Sequence, residues 1–224
     1  MNLSNPRLKN AFVLVLFISI TLALISSATA KTRCGAELGN QCISEVDFGR
    51  FAQTAYQQQR ESEWCWAAAT SMLFSYYRHP VSQERIVMSL YGRLVNLPSG
   101  PSLNIATRLN SSWIDDNRQP FKPTVSGAYD FDAGVLTITN GWLVTELDQD
   151  RPFIIGTNGH AVVVTAIRFI PTQPQPTIVG IGVFDPWPGR GARGLLPLEM
   201  TPMHVNTPQG RGQLRFIATV RVTD

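Results

Sequence analysis

The sequence predicts an α+β fold, helices first and an antiparallel sheet last, on three observations. The stretch from Trp64 to Tyr77 has no charged residue and repeats apolar side chains at three- and four-residue spacing. The later part of the chain breaks into runs rich in Val, Ile and Phe, and clusters of Gly and Pro separate those runs. A helix that is apolar nearly all round belongs in the middle of a domain, packed on such a sheet.

The first thirty residues read as an export signal, with Arg7 and Lys9 in front, an apolar core from Ala11 to Ile25, and the small-x-small site Ala28-Thr29-Ala30. That core falls short of the roughly 20 residues that span a bilayer, so a retained anchor is the weaker alternative. The mature chain is expected to begin near Lys31, secreted or periplasmic, with no stable membrane insertion after cleavage. Removing residues 1–30 from 224 leaves 194, enough for one domain with a substantial core. Arg7 and Lys9 account for two of the net +3 and the signal holds no acid, so the mature chain carries +1. Nucleic acid or an anionic membrane would leave clustered Lys and Arg, and neither is expected as a partner. A monomer acting on a protein or peptide is expected.

Residues 31–56 read as an N-terminal extension and 57–224 as the functional domain. Within it the helix begun at Trp64 shows Trp66, Ala69, Leu73, Tyr76 and Tyr77 on its repeat and stops at His79-Pro80, because the residue before proline is pushed out of helical geometry. A second helix runs from a Ser82 cap through Glu84, Ile86, Val87 and Leu90 to Gly92. A third, short one covers Leu103 to Leu109. Turn-forming residues dominate from Trp113 to Asn140, with one candidate strand at Val135–Thr139. Trp142 to Leu147 reads as a helix with Asn140 as its cap. Strands follow at Phe153–Ile155, Ala161–Ile170, Ile178–Phe184 and Leu214–Val222, and the proline-rich stretch Pro171–Pro176 is an extended, solvated connection.

Three cysteines in an exported chain leave one over. Cys34 and Cys42, close together beside Gly and Asn, are the expected disulfide. The count alone leaves open whether Cys65 is a reactive thiol, a small packed hydrophobe, or bonded to one of the others.

The chemistry lies in the order thiol, imidazole, carboxylate. Cys65 opens the buried helix, where unpaired N–H groups and a partial positive charge favour a thiolate, as does a nearby imidazolium. His160 follows Gly159 and precedes Ala161-Val162-Val163-Val164, so it stands where a turn becomes a strand and can serve as general base and then acid. His79 and His204 each lie near a loop-forming proline and read as solvated or capping residues. Asp185 ends an apolar run before Pro186. A carboxylate left at the edge of a core needs a partner, and an imidazole N–H provides one while fixing the ring's tautomer. The plainer readings are a core cysteine and an ordinary Asp-Pro turn. Acyl transfer also needs oxyanion donors: the Cys65 backbone N–H is one, and an amide from Gln57-Gln58-Gln59 can be another. Trp64, Trp66 and Trp187 are candidate cleft residues. Arg190 and Arg193 can meet an acidic substrate group, although their Gly-rich setting reads as a solvated loop. The histidines and cysteines fall at no usual ligand spacing, so no metal or cofactor is expected.

Gln59 followed by Cys65-Trp66-Ala67-Ala68, then Gly159-His160-Ala161-Val162-Val163, then Asp185-Pro186-Trp187-Pro188-Gly189, resembles the papain-like cysteine peptidases, in the bacterial branch of leader-processing and AvrRpt2-like enzymes. The resemblance covers about residues 57–194. It implies a papain-like fold and cleavage of peptide bonds through a thioester, with Cys65 as nucleophile, His160 as base, Asp185 as orienter and Gln59 in the oxyanion hole. Many papain relatives have Asn in the third position, so Asp185 points to the branches that use Asp. The few residues between Lys31 and Cys65 leave no room for a long inhibitory pro-segment. An exported cysteine endopeptidase is the leading expectation. A cell-wall peptide amidase or transglutaminase-like transferase shares the same three side chains, and a non-catalytic binding protein would be signalled by an unreactive or disulfide-bonded Cys65.

Overall fold

A computed structural model describes residues 32–223. The expected export signal, residues 1–30, lies outside the described residues.

The chain opens on a small hairpin of β1 (Arg33–Cys34) and β2 (Cys42–Glu45), in which Cys34 and Cys42 stand directly opposite and form the expected disulfide. A short helix α1 (Phe48–Arg50) follows, capped by the Asp47 carboxylate, which accepts from the Arg50 backbone N–H. It runs into a π-helical turn at Phe51–Ala55. Neither showed in the sequence, since so short a helix has no period to read.

The predicted buried helix is α2 (Cys65–Tyr76), and it is enclosed from Trp66 through Phe74. Beyond it His79 stacks on Phe121 at 4.4 Å and meets Asp115 at 3.2 Å, so it is a buried structural group rather than a solvated one. Helix α3 (Gln83–Tyr91) starts after Ser82 and stops at Gly92, whose φ of 68° is the left-handed conformation that suits glycine. Helix α4 (Ser102–Arg108) occupies the third predicted site.

The stretch with the weakest sequence signal holds β3 (Trp113–Ile114), β4 (Pro120–Asp130) and β5 (Val135–Leu136). Strand β4 was missed. Pro120, Pro123 and Gly127 look like turn signals, but Gly127 is there for space: a Cβ would come within 2.6 Å of Ile138. The candidate strand at 135–139 shrinks to two residues. Helix α5 (Asn140–Asp148) is capped by Thr139, whose hydroxyl accepts from Trp142 N–H, and not by Asn140 as expected. Then come β6 (Phe153–Thr157), β7 (His160–Ile170), β8 (Thr177–Asp185), β9 (Gly191–Gly194), α6 (Pro197–Met200), the small pair β10 (Asn206–Thr207) and β11 (Gly210–Arg211), and β12 (Leu214–Thr223).

The main sheet runs β1-β2-β7-β6-β12-β4-β3 with antiparallel neighbours, and β8 joins β7 to β9. Long β7 is therefore paired along both edges: β6 and β2 share one, and β8 takes the other. Strand β2 is hydrogen-bonded to Ala166–Phe169 of β7, so the disulfide hairpin joins the main sheet. Helix α2 and the π-helical turn before it cover one face, with Phe74 of α2 edge-on to Phe121 and Phe51 of the turn stacked on Phe184 at 4.7 Å. Helix α5 covers the other, its Trp142 indole donating to Thr219 and its Val144 carbonyl accepting from Ser44.

Candidate active site

Three elements meet at one end of the sheet. Cys65 is the first residue of α2, and Trp64 before it supplies no side-chain cap, so the helix N-terminus stays open toward the thiol. His160 is the first residue of β7. It emerges from the two-residue turn Asn158-Gly159, both at positive φ (50° and 71°), the hairpin geometry that asparagine and glycine favour. Asp185 is the last residue of β8, antiparallel to β7, so the start of one strand lies beside the end of the other. A backbone bond from Gln59 N–H to the Pro186 carbonyl (2.8 Å) ties the segment before Cys65 to the one after Asp185.

His160 Nε2 lies 2.6 Å from Asp185 Oδ1, and the Cys65 side chain lies beside the ring, close enough to bear on its charge. Cys65 is a free, partly exposed thiol. Burial alone would lower the imidazole's pKa, but hydrogen bonds to Asp185 and Cys65 and their charges hold it up at about 9. Asp185 is fully buried. Burial would raise its pKa, yet His160, the Trp187 backbone N–H at 2.9 Å and Arg193 together hold it far below the usual carboxylate range. The arrangement is thus a thiol, a ring that favours its charged form, and a carboxylate that stays ionised.

Cys65 and His160 open onto a cleft of about 530 Å³. Trp66, the loop Pro98–Ser102 and Phe216 line it, with Glu63 on its wall and the Asp132–Arg215 ion pair (2.5 Å) as a further charged feature. The model of the Peptidase_C39 like family matches residues 51–194, a span that holds all three side chains. The chain belongs to that family. It is a cysteine peptidase, with an α+β papain-like fold. A solved structure described as a double glycine motif protease from an AMS/PCAT transporter, in complex with the leader peptide, is similar at 17% identity. The match covers 79% of this chain and 98% of that one, with a TM-score of 0.40. No curated protein matches the chain.

Other expected site residues in the peptidase lie differently. Gln59 is buried, and its amide nitrogen donates to the carbonyls of Glu61 (2.9 Å) and Ser62 (2.8 Å). Both N–H groups brace the turn that leads into α2. Trp64 is not on the cleft: it is buried in the core, and its indole donates to the Val95 carbonyl at 2.7 Å. Trp66 does line the cleft while donating to Leu97 O. Trp187 stands edge-on to His160 at 6.2 Å and is itself exposed.

The largest correction concerns Arg193. It sits on β9 rather than in a solvated loop, and its guanidinium joins Asp185 Oδ2 (2.8 Å) to Glu199 (2.8 and 2.9 Å). Arg190 remains half exposed and reaches the same Asp185 oxygen only at 3.4 Å. Glu199, on α6, had drawn no notice in the sequence, where an acid near the start of a short helix looks like an ordinary first-turn residue.

Proposed function

We propose that this cysteine peptidase is an exported endopeptidase that cleaves peptide bonds with Cys65, His160 and Asp185 through a thioester. The Cys65 thiolate attacks the scissile carbonyl, and the Cys65 backbone N–H at the open end of α2 faces the developing oxyanion. His160 gives its proton to the departing amine as the carbon–nitrogen bond breaks, leaving the acyl group on sulfur. Water then attacks the thioester with its proton passing to His160, and the carbon–sulfur bond breaks to release the acid and restore the thiolate and imidazolium. Asp185 holds the ring so that Nδ1 faces sulfur throughout.

The observation that carries this reading is an imidazole held at 2.6 Å by a fully buried carboxylate and sharing one cleft with a free thiol. Export is supported by the signal-like first thirty residues and by the Cys34–Cys42 disulfide, which belongs in an oxidising compartment.

The test is hydrolysis of a quenched peptide library by the mature protein, with mass spectrometry of the quenched reaction. Activity should vanish in Cys65→Ala and His160→Ala with folding retained, and an acyl adduct should map to Cys65. Persistent cleavage in Cys65→Ala would sink the mechanism. Products carrying an added amine in place of water would reassign the enzyme as a transferase.

A further inference from the structure

Asp185 Oδ1 serves His160 and the Trp187 N–H, but Oδ2 faces the opposite way, toward Arg193. A carboxylate wholly out of water needs every lone-pair direction met, and an arginine fork does this with fixed geometry. The fork is itself held: Arg193 Nη1 and Nη2 both bind Glu199, and Glu199 also accepts the Leu196 N–H at 2.7 Å. The Thr157 hydroxyl, three residues before His160, donates to the Glu199 backbone carbonyl at 2.9 Å, so α6 is fastened to the strand that leads into the catalytic turn.

The charges in this row matter as much as the geometry. Asp185 and Arg193 alone would cancel and offer the imidazolium no net counter-charge. Glu199 offsets the Arg193 charge and so leaves the Asp185 charge to face a protonated His160, with the half-exposed Arg190 at 3.4 Å a further, more solvated cation on Asp185. The other charged or titratable groups around His160 are the Cys65 thiol on α2, Arg190 beyond β8, and, on the cleft wall, Glu63 and the mutually paired Asp132 and Arg215.

We propose that Arg193 and Glu199 are positioning residues of the peptidase reaction: Arg193 orients Asp185, and Glu199 locks Arg193 and supplies the charge that keeps His160 protonated. The proposal rests on the reading of Cys65, His160 and Asp185 as the reacting groups. Burial lowers the His160 pKa and contacts with Asp185 and Cys65 hold it up, and that Asp185 is the carboxylate Arg193 grips.

The two residues make opposite predictions. Glu199→Gln keeps the shape and removes a negative charge, so the alkaline limb of the kcat/KM profile should move down by roughly one pH unit. Arg193→Gln removes a positive charge and frees Asp185, so the limb should move up while kcat falls about tenfold with KM little changed. Arg193→Lys keeps the charge without the fork and should recover the limb but only part of kcat. The measurement is a set of pH–rate profiles on peptide substrate, with circular dichroism to check folding.

Limbs that shift the same way in both Gln variants, or that stay in place with kcat within about twofold of the parent, would overturn the proposal. Should Arg193→Gln not fold, the direction of the limb in Glu199→Gln decides alone. Failure of the underlying reading looks different: Cys65→Ala or His160→Ala would then remain active.

Discussion

At His160 burial and the contacts with Asp185 and Cys65 set the ring's pH behaviour. Its pKa in the folded protein is about 9, above the roughly 6.5 of an unfolded histidine. A raised pKa means that protonation stabilises the fold: the contribution is fully present below about pH 6.5 and is lost as pH rises through about 9. Urea denaturation at pH 6 and pH 9.5 should therefore show the parent losing more stability than His160→Ala over that interval. An equal loss in both would mean that the ring is not held in its charged form. Asp185→Asn removes the charge that faces the imidazolium and should lower kcat at least about tenfold, less than the loss in Cys65→Ala. The three residues were legible because each carries a local mark: an apolar helix start, a glycine before a Val run, and an acid closing a strand. The carbonyl partners of the Gln59 amide were not legible, because which ones it meets depends on how residues 59–62 turn.

Helix α2 carries Cys65 onto the sheet through three consecutive alanines, Ala67, Ala68 and Ala69, all fully buried. Small side chains on every side let the helix approach closely, and a larger one has nowhere to go. Ala68→Leu should cost about 1–3 kcal/mol, read as a lower melting temperature, with activity falling as Cys65 is lifted from His160. The Asn158-Gly159 turn is the equivalent device for the histidine. No atom lies within 4 Å of a Cβ added at Gly159, so the cost of Gly159→Ala comes from its φ of 71° alone. That cost is about 1 kcal/mol, and kcat should fall by more than stability does, because the turn aims His160. Unchanged kcat with lowered stability would detach the turn from catalysis. Helices α2 and α3 were readable from period and stop signals. Strand β4 was not, since two prolines and a glycine masked it and its place is set by pairing with β12.

Across the whole molecule, β7 links two ends with different duties. His160 begins it, while Phe169 near its far end pairs with Cys42 of the disulfide hairpin. Nine residues of strand separate them by about 30 Å. Replacing Cys34 and Cys42 with Ser should therefore cost about 2–3 kcal/mol of stability, seen in denaturant midpoints, and leave kcat unchanged at temperatures where the variant is folded. Lost activity in the folded variant would show that the hairpin reaches the site. Mass spectrometry of exported protein should find Lys31 at the N-terminus, and a product retaining residues 1–30 would refute the signal assignment. The sequence by itself determined the features that local order along the chain encodes: the buried helix with its thiol, the strand starts and ends that carry His160 and Asp185, and the Cys34–Cys42 pairing. Only the tertiary structure decided the rest. Arg193 with Glu199 behind Asp185, Trp64 in the core and the braced amide of Gln59 arise from contacts between segments whose approach no local pattern encodes. A side chain's type and spacing state what it can bond to, but burial and the neighbours brought by folding choose which bond it makes.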